Sequence, residues 1–145
     1  LWLEGPHGTF VLRDEAGADV VFLATGTGIG PIKAMLEGIA ALDVAARPAS
    51  VTVFWGGRTP ADLYWDPREA LSEVTYVPTL SRAGPDWTGR RGHVQRTFMD
   101  TNPVVERSRV YACGSEAMIR DAEATLIAAG LPATSFFADA FVASY

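Results

Sequence analysis

Small, flexible residues at positions 25–31 have the composition of a loop that binds phosphate. The stretch reads Thr25-Gly26-Thr27-Gly28-Ile29-Gly30-Pro31 and follows the apolar run Val20-Val21-Phe22-Leu23-Ala24. Glycine lets the backbone turn tightly and allows a bulky anion to come close to it. If a helix follows, its free N–H groups and the positive end of its dipole favour a phosphate group. Tight packing of a strand against a helix is the alternative explanation of such a loop.

The glycine loop differs from two familiar nucleotide-binding motifs. It is not a P-loop, because no Gly-Lys-Ser/Thr follows it. It departs from the dinucleotide fingerprint Gly-x-Gly-x-x-Gly because its third glycine comes one position early. No acidic residue ends the next apolar run, 51–55, to bind a ribose; Gly56-Gly57-Arg58 stands there instead. A nucleotide at this loop would therefore be held in a different way.

Two other places carry side chains that could bind or orient a ligand. The polar loop 81–92 contains Arg82, Arg90 and Arg91, and a guanidinium suits phosphate because its planar fork donates two parallel hydrogen bonds. The alternative is a solvated, arginine-rich loop. Cys113 is the only cysteine of the chain, so an internal disulfide is impossible and no metal site is expected. The low cysteine content fits a reducing cytoplasm.

Length and composition predict one globular domain. The chain has 145 residues, of which 48% are hydrophobic and 20% charged. Its net charge of −5 argues against a nucleic-acid partner, which demands a basic face. No apolar run reaches the roughly 18 residues that span a bilayer, so no membrane partner is expected. The chain starts at Leu1 rather than methionine, and we expect it to be cut from a longer protein.

The order of apolar runs predicts an α/β fold, a three-layer, doubly wound, five-stranded parallel sheet with helices on both faces. Ile32, Met35, Leu36 and Ile39 have helical spacing, with Pro31 at the first helical position. Ser115 is expected to cap another helix. Strands are predicted at 20–24, 51–55, 74–77, 109–113 and 135–138, and further helices at 60–71 (broken by Pro67) and 94–99.

Such sheets bind ligands beyond the carboxyl ends of their strands. The loops expected at those ends are 25–31, 56–59, 79–92, 113–116 and 138–142. The sequence therefore places the glycine loop, the arginine loop and Cys113 at one edge of the sheet.

Taken together, the motifs resemble the NAD(P)-binding domain of the ferredoxin–NADP reductase superfamily. The glycine loop is one of them. The others follow in the family's order, at 4–10, 55–58 with 62–64, 81–82 with 87–94, 111–118 and 137–141. Within the superfamily the chain is most similar to the CDP-6-deoxy-glucoseen reductase branch, which resembles dioxygenase reductases.

The resemblance implies a module that binds NADH or NADPH and delivers hydride to FAD. Residues 1–12 would end a flavin-binding barrel that is otherwise absent, and 13–145 would form the NAD(P)-binding domain. The partners implied are that flavin-binding domain of the same polypeptide and an iron–sulfur domain or protein, with a 2Fe-2S cluster in the full-length protein. Neither FAD nor the cluster can be argued from this chain, which lacks the family's Arg-x-Tyr-Ser motif and the cluster cysteines.

By the same resemblance, 25–28 cradle the nicotinamide ribose and pyrophosphate, and the Cys113 sulfur lies beside the nicotinamide at the hydride-transfer position. Ser81 and Arg82 stand where NADPH-using relatives hold the 2′-phosphate, with Arg91 and His93 near the second cation and the adenine. The implied cofactor-binding residues are Thr25, Gly26, Thr27, Gly28, Gly30, Pro31, Arg58, Ser81, Arg82, Arg91, Cys113, Gly114, Met118, Asp139 and Phe141.

Each of these roles has a plainer alternative, and so has the function. Cys113 could be a small buried apolar residue, and Asp139 and Phe141 could belong to an ordinary terminal strand. A stand-alone nucleotide-binding or regulatory module, or a flavodoxin-like carrier of FMN, would have the same fold class. The choice between NADH and NADPH, the final electron acceptor and the oligomeric state are left open by the sequence.

Overall fold

The computed structural model describes residues 10–141 and contains one sheet of six parallel strands. The strands are β1 (Asp19–Thr25), β2 (Ser50–Gly57), β3 (Thr75–Leu80), β4 (Arg90–Arg91), β5 (Ser108–Ser115) and β6 (Phe136–Phe141). The α-helices are α1 (Ile29–Ala40), α2 (Val94–Asp100) and α3 (Glu116–Ala128). This architecture confirms the predicted parallel α/β fold.

Helices cover both faces of the sheet, so the predicted three layers are present. Helix α1 buries its Ile32, Met35, Leu36 and Ile39 stripe against one face, together with alternate residues of β1, β2 and β5. Helices α2 and α3 cover the other face. Strand β1 lies between them and is buried along 20–24, as expected for a strand that is covered on both sides.

The strand order β4-β3-β2-β1-β5-β6 reverses at the centre of the sheet. From β1 the chain moves outward through β2, β3 and β4, then returns to place β5 on the other side of β1. The loops that leave β1 and β5 consequently diverge to opposite faces and open a crevice between them. This crevice is the topological switch point of the fold.

The sheet has one strand more than the five predicted. The sixth, β4, pairs its two residues with Thr79 and Leu80 of β3. It lies inside the polar segment 81–92, which the sequence presents as a loop, because two consecutive arginines carry no apolar or β-branched signal.

The predicted helix 60–71 is wrong. The segment forms two short 3₁₀ turns, Pro60–Asp62 and Pro67–Glu69, with non-helical residues between them. Asp66 adopts an extended conformation before Pro67, because a proline disfavours helical geometry in the residue that precedes it. The second turn therefore starts anew at Pro67, whereas the first has already ended at Asp62.

The ends of two helices can be compared with their predicted caps. Helix α1 begins at Ile29, after a 3₁₀ turn at Gly26–Gly28, so Pro31 is its third residue rather than its first. Proline is tolerated there because the first N–H groups of a helix have no partner within it. The Ser115 cap is confirmed, since its Oγ accepts a hydrogen bond from the Met118 N–H at 3.2 Å. Among the described residues, no helix is long and apolar enough to cross a membrane.

Candidate nucleotide-binding site

The glycine turn at 25–28 lies where β1 ends and α1 begins, at the switch point. Gly26 has φ +54°, a left-handed conformation that favours glycine. A Cβ built on Gly26 or Gly30 meets no atom within 4 Å. The space beside both residues is open, and a group bound there could approach the backbone closely.

Trp55 of β2 holds the backbone of this turn in place. Its indole Nε1 donates a hydrogen bond to the Gly26 carbonyl oxygen at 3.1 Å, and the side chain is fully buried. The exposed Tyr64 ring meets the indole edge-on, with 5.1 Å between ring centroids. The sequence did not predict this role of Trp55, although a buried indole N–H usually has a partner.

The turn packs directly against the end of β5. A Cβ on Gly28 would stand 2.0 Å from the Cys113 carbonyl oxygen, and a Cβ on Gly114 would stand 2.1 Å from Thr25 Oγ1. The Thr25 hydroxyl also accepts a hydrogen bond from the Ser115 N–H at 3.1 Å. Glycine is required at 28 and 114 because the two backbones touch.

This packing brings the N-termini of α1 and α3 to the two sides of one crevice. The first turn of each helix has free N–H groups and lies at the positive end of the helix dipole, so it favours a bound anion. Gly30 and Pro31 belong to the first turn of α1, and Gly114 precedes α3. The side chain of Met118 is buried in the core and does not line the crevice.

Cys113 is fully buried beneath the crevice. Burial, with a smaller contribution from the charge of Asp139, raises the pKa of its thiol to about 12. The thiol is therefore neutral at physiological pH, which suits a packing role and not nucleophilic attack. Asp139 pairs with Cys113 across β5 and β6, and the backbone of Phe141 pairs with Ser115; the Phe141 side chain and residues 1–9 and 142–145, with most of the 4–10 motif, lie outside the described residues.

A second group of predicted residues lies further along the same edge, beyond β2 and β3. The N–H groups of Ser81 and Arg82 donate to the carbonyl oxygens of Gly57 and Arg58, at 3.0 and 2.9 Å. Ser81 and the two arginines are exposed. Asp62 accepts hydrogen bonds from the backbone N–H groups of Arg58 and Thr59, and these bonds lower the pKa of its carboxyl.

Arg91 has a different environment from the other arginines at this edge. Its guanidinium donates to the carbonyl oxygens of Ala83, Gly84 and Trp87, at 3.2, 3.0 and 2.7 Å. It thereby organises the arginine loop, 81–92, from within. By contrast, within the described part of the chain the guanidiniums of Arg58, Arg82 and Arg90 have no hydrogen-bond or ion-pair partner.

The structure thus brings the predicted residues together in two places along one edge. The crevice holds 25–31 with Cys113, Gly114 and Asp139, and the arginine loop holds Ser81, Arg82 and Arg91 beside Arg58. No cluster of histidine, cysteine or carboxylate side chains that could hold a metal ion is found within residues 10–141.

A doubly wound sheet with a glycine turn at its switch point defines a nucleotide-binding α/β domain. The chain belongs to the oxidoreductase NAD-binding domain family, whose model matches residues 22–124. This confirms the predicted resemblance to the NAD(P)-binding domain of the ferredoxin–NADP reductase superfamily. It also decides against a flavodoxin-like carrier of FMN.

Named relatives agree with the family. The chain is 38% identical over 99% of its length to the CDP-6-deoxy-L-threo-D-glycero-4-hexulose-3-dehydrase reductase of Yersinia pestis, of which it covers 44%. It is 35% identical over 97% of its length to the xylene/toluene monooxygenase electron transfer component XylA of Pseudomonas putida, of which it covers 41%. The chain therefore spans less than half the length of these relatives.

A solved structure shows the same fold. The cytochrome P450 reductase GcoB of Amycolatopsis superposes with a TM-score of 0.81 at 23% sequence identity, over 97% of this chain and 44% of that one.

Proposed function

We propose that the chain is the NAD(P)H-binding module of a flavin-dependent reductase, as the sequence predicts. A bound nicotinamide would supply hydride to FAD in a flavin-binding domain of the same polypeptide, and electrons would pass on to an iron–sulfur domain or protein. The observation that carries the proposal is the crevice in which the glycine turn packs backbone to backbone on Cys113 and Gly114. The names of the relatives, a reductase and an electron transfer component, support it and do not favour a stand-alone regulatory module.

The glycine turn would hold the pyrophosphate and the nicotinamide ribose. The space where a Cβ of Gly26 or Gly30 would stand is open, as a cradle for phosphate requires. Thr25, Thr27, Gly28 and Pro31 complete the turn and the start of α1. The two helix N-termini favour the pyrophosphate charge.

The end of β5 would hold the nicotinamide ring. The neutral thiol of Cys113 would contribute packing and orientation, since a bound ring must be held in one geometry for hydride transfer. Gly114 follows Cys113 in the chain, and the backbones of Asp139 and Phe141 pair with Cys113 and Ser115 in strand register, whereas the Met118 side chain is buried in the core. A boundary at residue 12 between the flavin and nucleotide domains remains part of the proposal.

The adenosine end would reach the arginine loop. Ser81, Arg82 and Arg58 are exposed there, and the two guanidiniums have no hydrogen-bond or ion-pair partner among the described residues, so they can donate to a 2′-phosphate. Arg91 would act by holding the shape of the loop. These groups give the site the chemistry to accept NADPH as well as NADH.

Calorimetric titration of the 145-residue chain with NADH and NADPH tests the nucleotide site. Gly26→Ala should lower the affinity for both at least about tenfold, because the new Cβ enters the open cradle. Gly17→Ala is a matched control. Gly17 also has a positive φ and nothing within 4 Å of a Cβ, but it lies before β1, at the opposite edge. Both variants should lose about 1–2 kcal/mol of stability from the left-handed conformation.

Two results would each reject a part of the proposed function. Equal binding by the two variants would reject the glycine turn as the nucleotide cradle. A preparation of the chain that is yellow with bound FAD and reduces dyes would reject the assignment of the flavin to another domain.

A further inference from the structure

A buried ion pair joins the segment before β1 to the strand that carries Cys113. The Glu15 side chain is only 2% exposed and accepts a hydrogen bond from Arg109 Nε at 2.8 Å. The Tyr111 hydroxyl donates to the other carboxylate oxygen of Glu15 and accepts from the backbone N–H of Arg13 at 3.0 Å. Burial and the Glu15 carboxylate raise the pKa of Tyr111, so its hydroxyl keeps the proton that it donates.

The other side of this network contacts the aromatic ring of Phe137. The guanidinium carbons of Arg13 and Arg109 lie 5.0 and 4.9 Å from the centre of the Phe137 ring. Tyr111 stacks on the same ring with 4.7 Å between centroids, and the buried Phe10 packs near Tyr111. The segment 10–15 contains no helix or strand, so these side-chain contacts hold it on β5 and β6.

The network is close to the proposed nicotinamide position. Tyr111 pairs with Phe137 across β5 and β6, and Cys113 pairs with Asp139 two residues further along. Two residues of a strand span roughly 7 Å. The segment 10–15 is therefore held at a distance of one or two side chains from Cys113.

The chemistry of the attachment favours a positioning role. A buried ion pair adds little net stability because desolvation offsets its attraction, and its best-attested use is to fix one registry. Apolar contacts such as that of Phe10 are non-directional. The hydrogen bonds of Glu15, by contrast, form in only one arrangement of their donors.

We infer that Glu15, Arg109 and Tyr111 are positioning residues. They hold the segment 10–15 on β5 and β6, and through it would place the flavin-binding domain relative to Cys113. The inference rests on the proposed function, since it concerns the placement of a flavin opposite the nicotinamide.

Glu15→Gln in the complete flavin-containing protein tests this role, because the amide keeps the size of the carboxylate and removes its charge. The rate of flavin reduction by NADH, measured by stopped flow, should fall about 10- to 100-fold, since a misplacement near 1 Å costs about 100-fold. The nucleotide Kd should change less than about twofold. Electron transfer from dithionite-reduced flavin to a dye should not change, because it does not involve the nicotinamide.

Glu73→Gln is the matched control. It removes the ion pair between Arg47 and Glu73, whose side-chain atoms lie 2.6 Å apart and which joins the segment after α1 to the segment before β3. Flavin reduction in this variant should keep its normal rate. If Glu15→Gln does not fold, Tyr111→Phe removes only one hydroxyl and should slow flavin reduction about threefold to tenfold.

The outcomes separate this inference from the proposed function. Normal flavin reduction in a folded Glu15→Gln or Tyr111→Phe protein would overturn the positioning role and leave the function intact. A parallel loss of nucleotide affinity would overturn it too, because the network would then only support the fold of this domain. If neither NADH nor NADPH reduced the flavin of the unaltered protein, the proposed function itself would be rejected.

Discussion

The crevice between β1 and β5 and the arginine loop beside β3 lie at the same edge of the sheet, but they are built in opposite ways. In the crevice the backbones of Gly28 and Cys113 touch, and the cysteine is fully buried. In the loop, Arg82 is exposed and its guanidinium has no partner among the described residues. In the crevice, the residues that would bind a ligand also stabilise the fold. In the arginine loop, ligand binding and stability depend on different residues.

This difference has a measurable consequence. Substitutions where the backbones touch in the crevice, at Gly28 and Gly114, should lower stability. Substitutions of the exposed arginines should change binding and leave stability unaltered. The predictions that follow test each half of this comparison.

The largest effect is expected for Gly28→Ala. Its new Cβ would stand 2.0 Å from the Cys113 carbonyl oxygen and 2.9 Å from the Gly114 nitrogen, and backbone atoms of a central strand cannot move aside easily. We expect a loss of at least about 4 kcal/mol in the free energy of unfolding, in the range of the most severe single substitutions. Gly30→Ala, two residues away with open space around it, should gain up to about 1 kcal/mol. Urea denaturation measures both, and similar stabilities would contradict the close packing.

The next effect concerns the dependence of stability on pH. Burial raises the pKa of Cys113 from 9.0 to about 12. Above pH 9 the unfolded chain loses the thiol proton and the folded chain keeps it, so the unfolded state binds fewer protons and stability falls as pH rises. Between pH 9 and 11, wild type should lose about 2 kcal/mol more than Cys113→Ala does.

Comparing the two proteins isolates the thiol. Tyr76, whose pKa burial raises to about 12, titrates in both and cancels. Denaturant titrations at pH 8, 9, 10 and 11 give the two curves. Parallel curves would mean that the thiol is not held in a water-free environment, and the contrast between the crevice and the loop would lose its basis.

The parts of this molecule that the sequence predicts are those with local signals. The apolar run 20–24, the helical spacing in α1 and the Ser115 cap each depend on neighbouring residues, and all three are present. The order of strands and helices then places the glycine turn and Cys113 at one edge. The helix expected at 60–71 fails, because Pro67 disfavours a helical conformation at Asp66, which is extended.

Contacts between residues that are far apart in the sequence cannot be predicted from local patterns. Glu15 and Arg109 are 94 positions apart, and an isolated glutamate in a polar segment resembles any surface residue. Arg91 and Arg82 likewise look equivalent in the sequence, although only Arg91 is held by loop carbonyls. Which arginine is available to a ligand is decided by the fold of the loop.

Arg82→Ala tests the other half of the comparison, with the smallest expected effect. If Arg82 binds the 2′-phosphate, losing one charge-assisted hydrogen bond should cost roughly 1.5–3 kcal/mol of NADPH binding. NADH affinity should barely change, because NADH lacks that phosphate. Stability should stay within about 0.5 kcal/mol of wild type, since the side chain is exposed.

Arg107→Ala is the control for net charge, because Arg107 is also exposed but lies just before β5, at the opposite edge of the sheet. It removes the same charge from the chain and should leave the affinity for both nucleotides unchanged. Calorimetric titration with NADPH and NADH, with a thermal melt of each variant, gives the comparison. An equal loss for both nucleotides in Arg82→Ala would assign Arg82 to a group that NADH and NADPH share. No loss for either would show that Arg82 does not select the cofactor and would leave that role to Arg58 and Arg90, whose guanidiniums make no hydrogen bond or ion pair within residues 10–141.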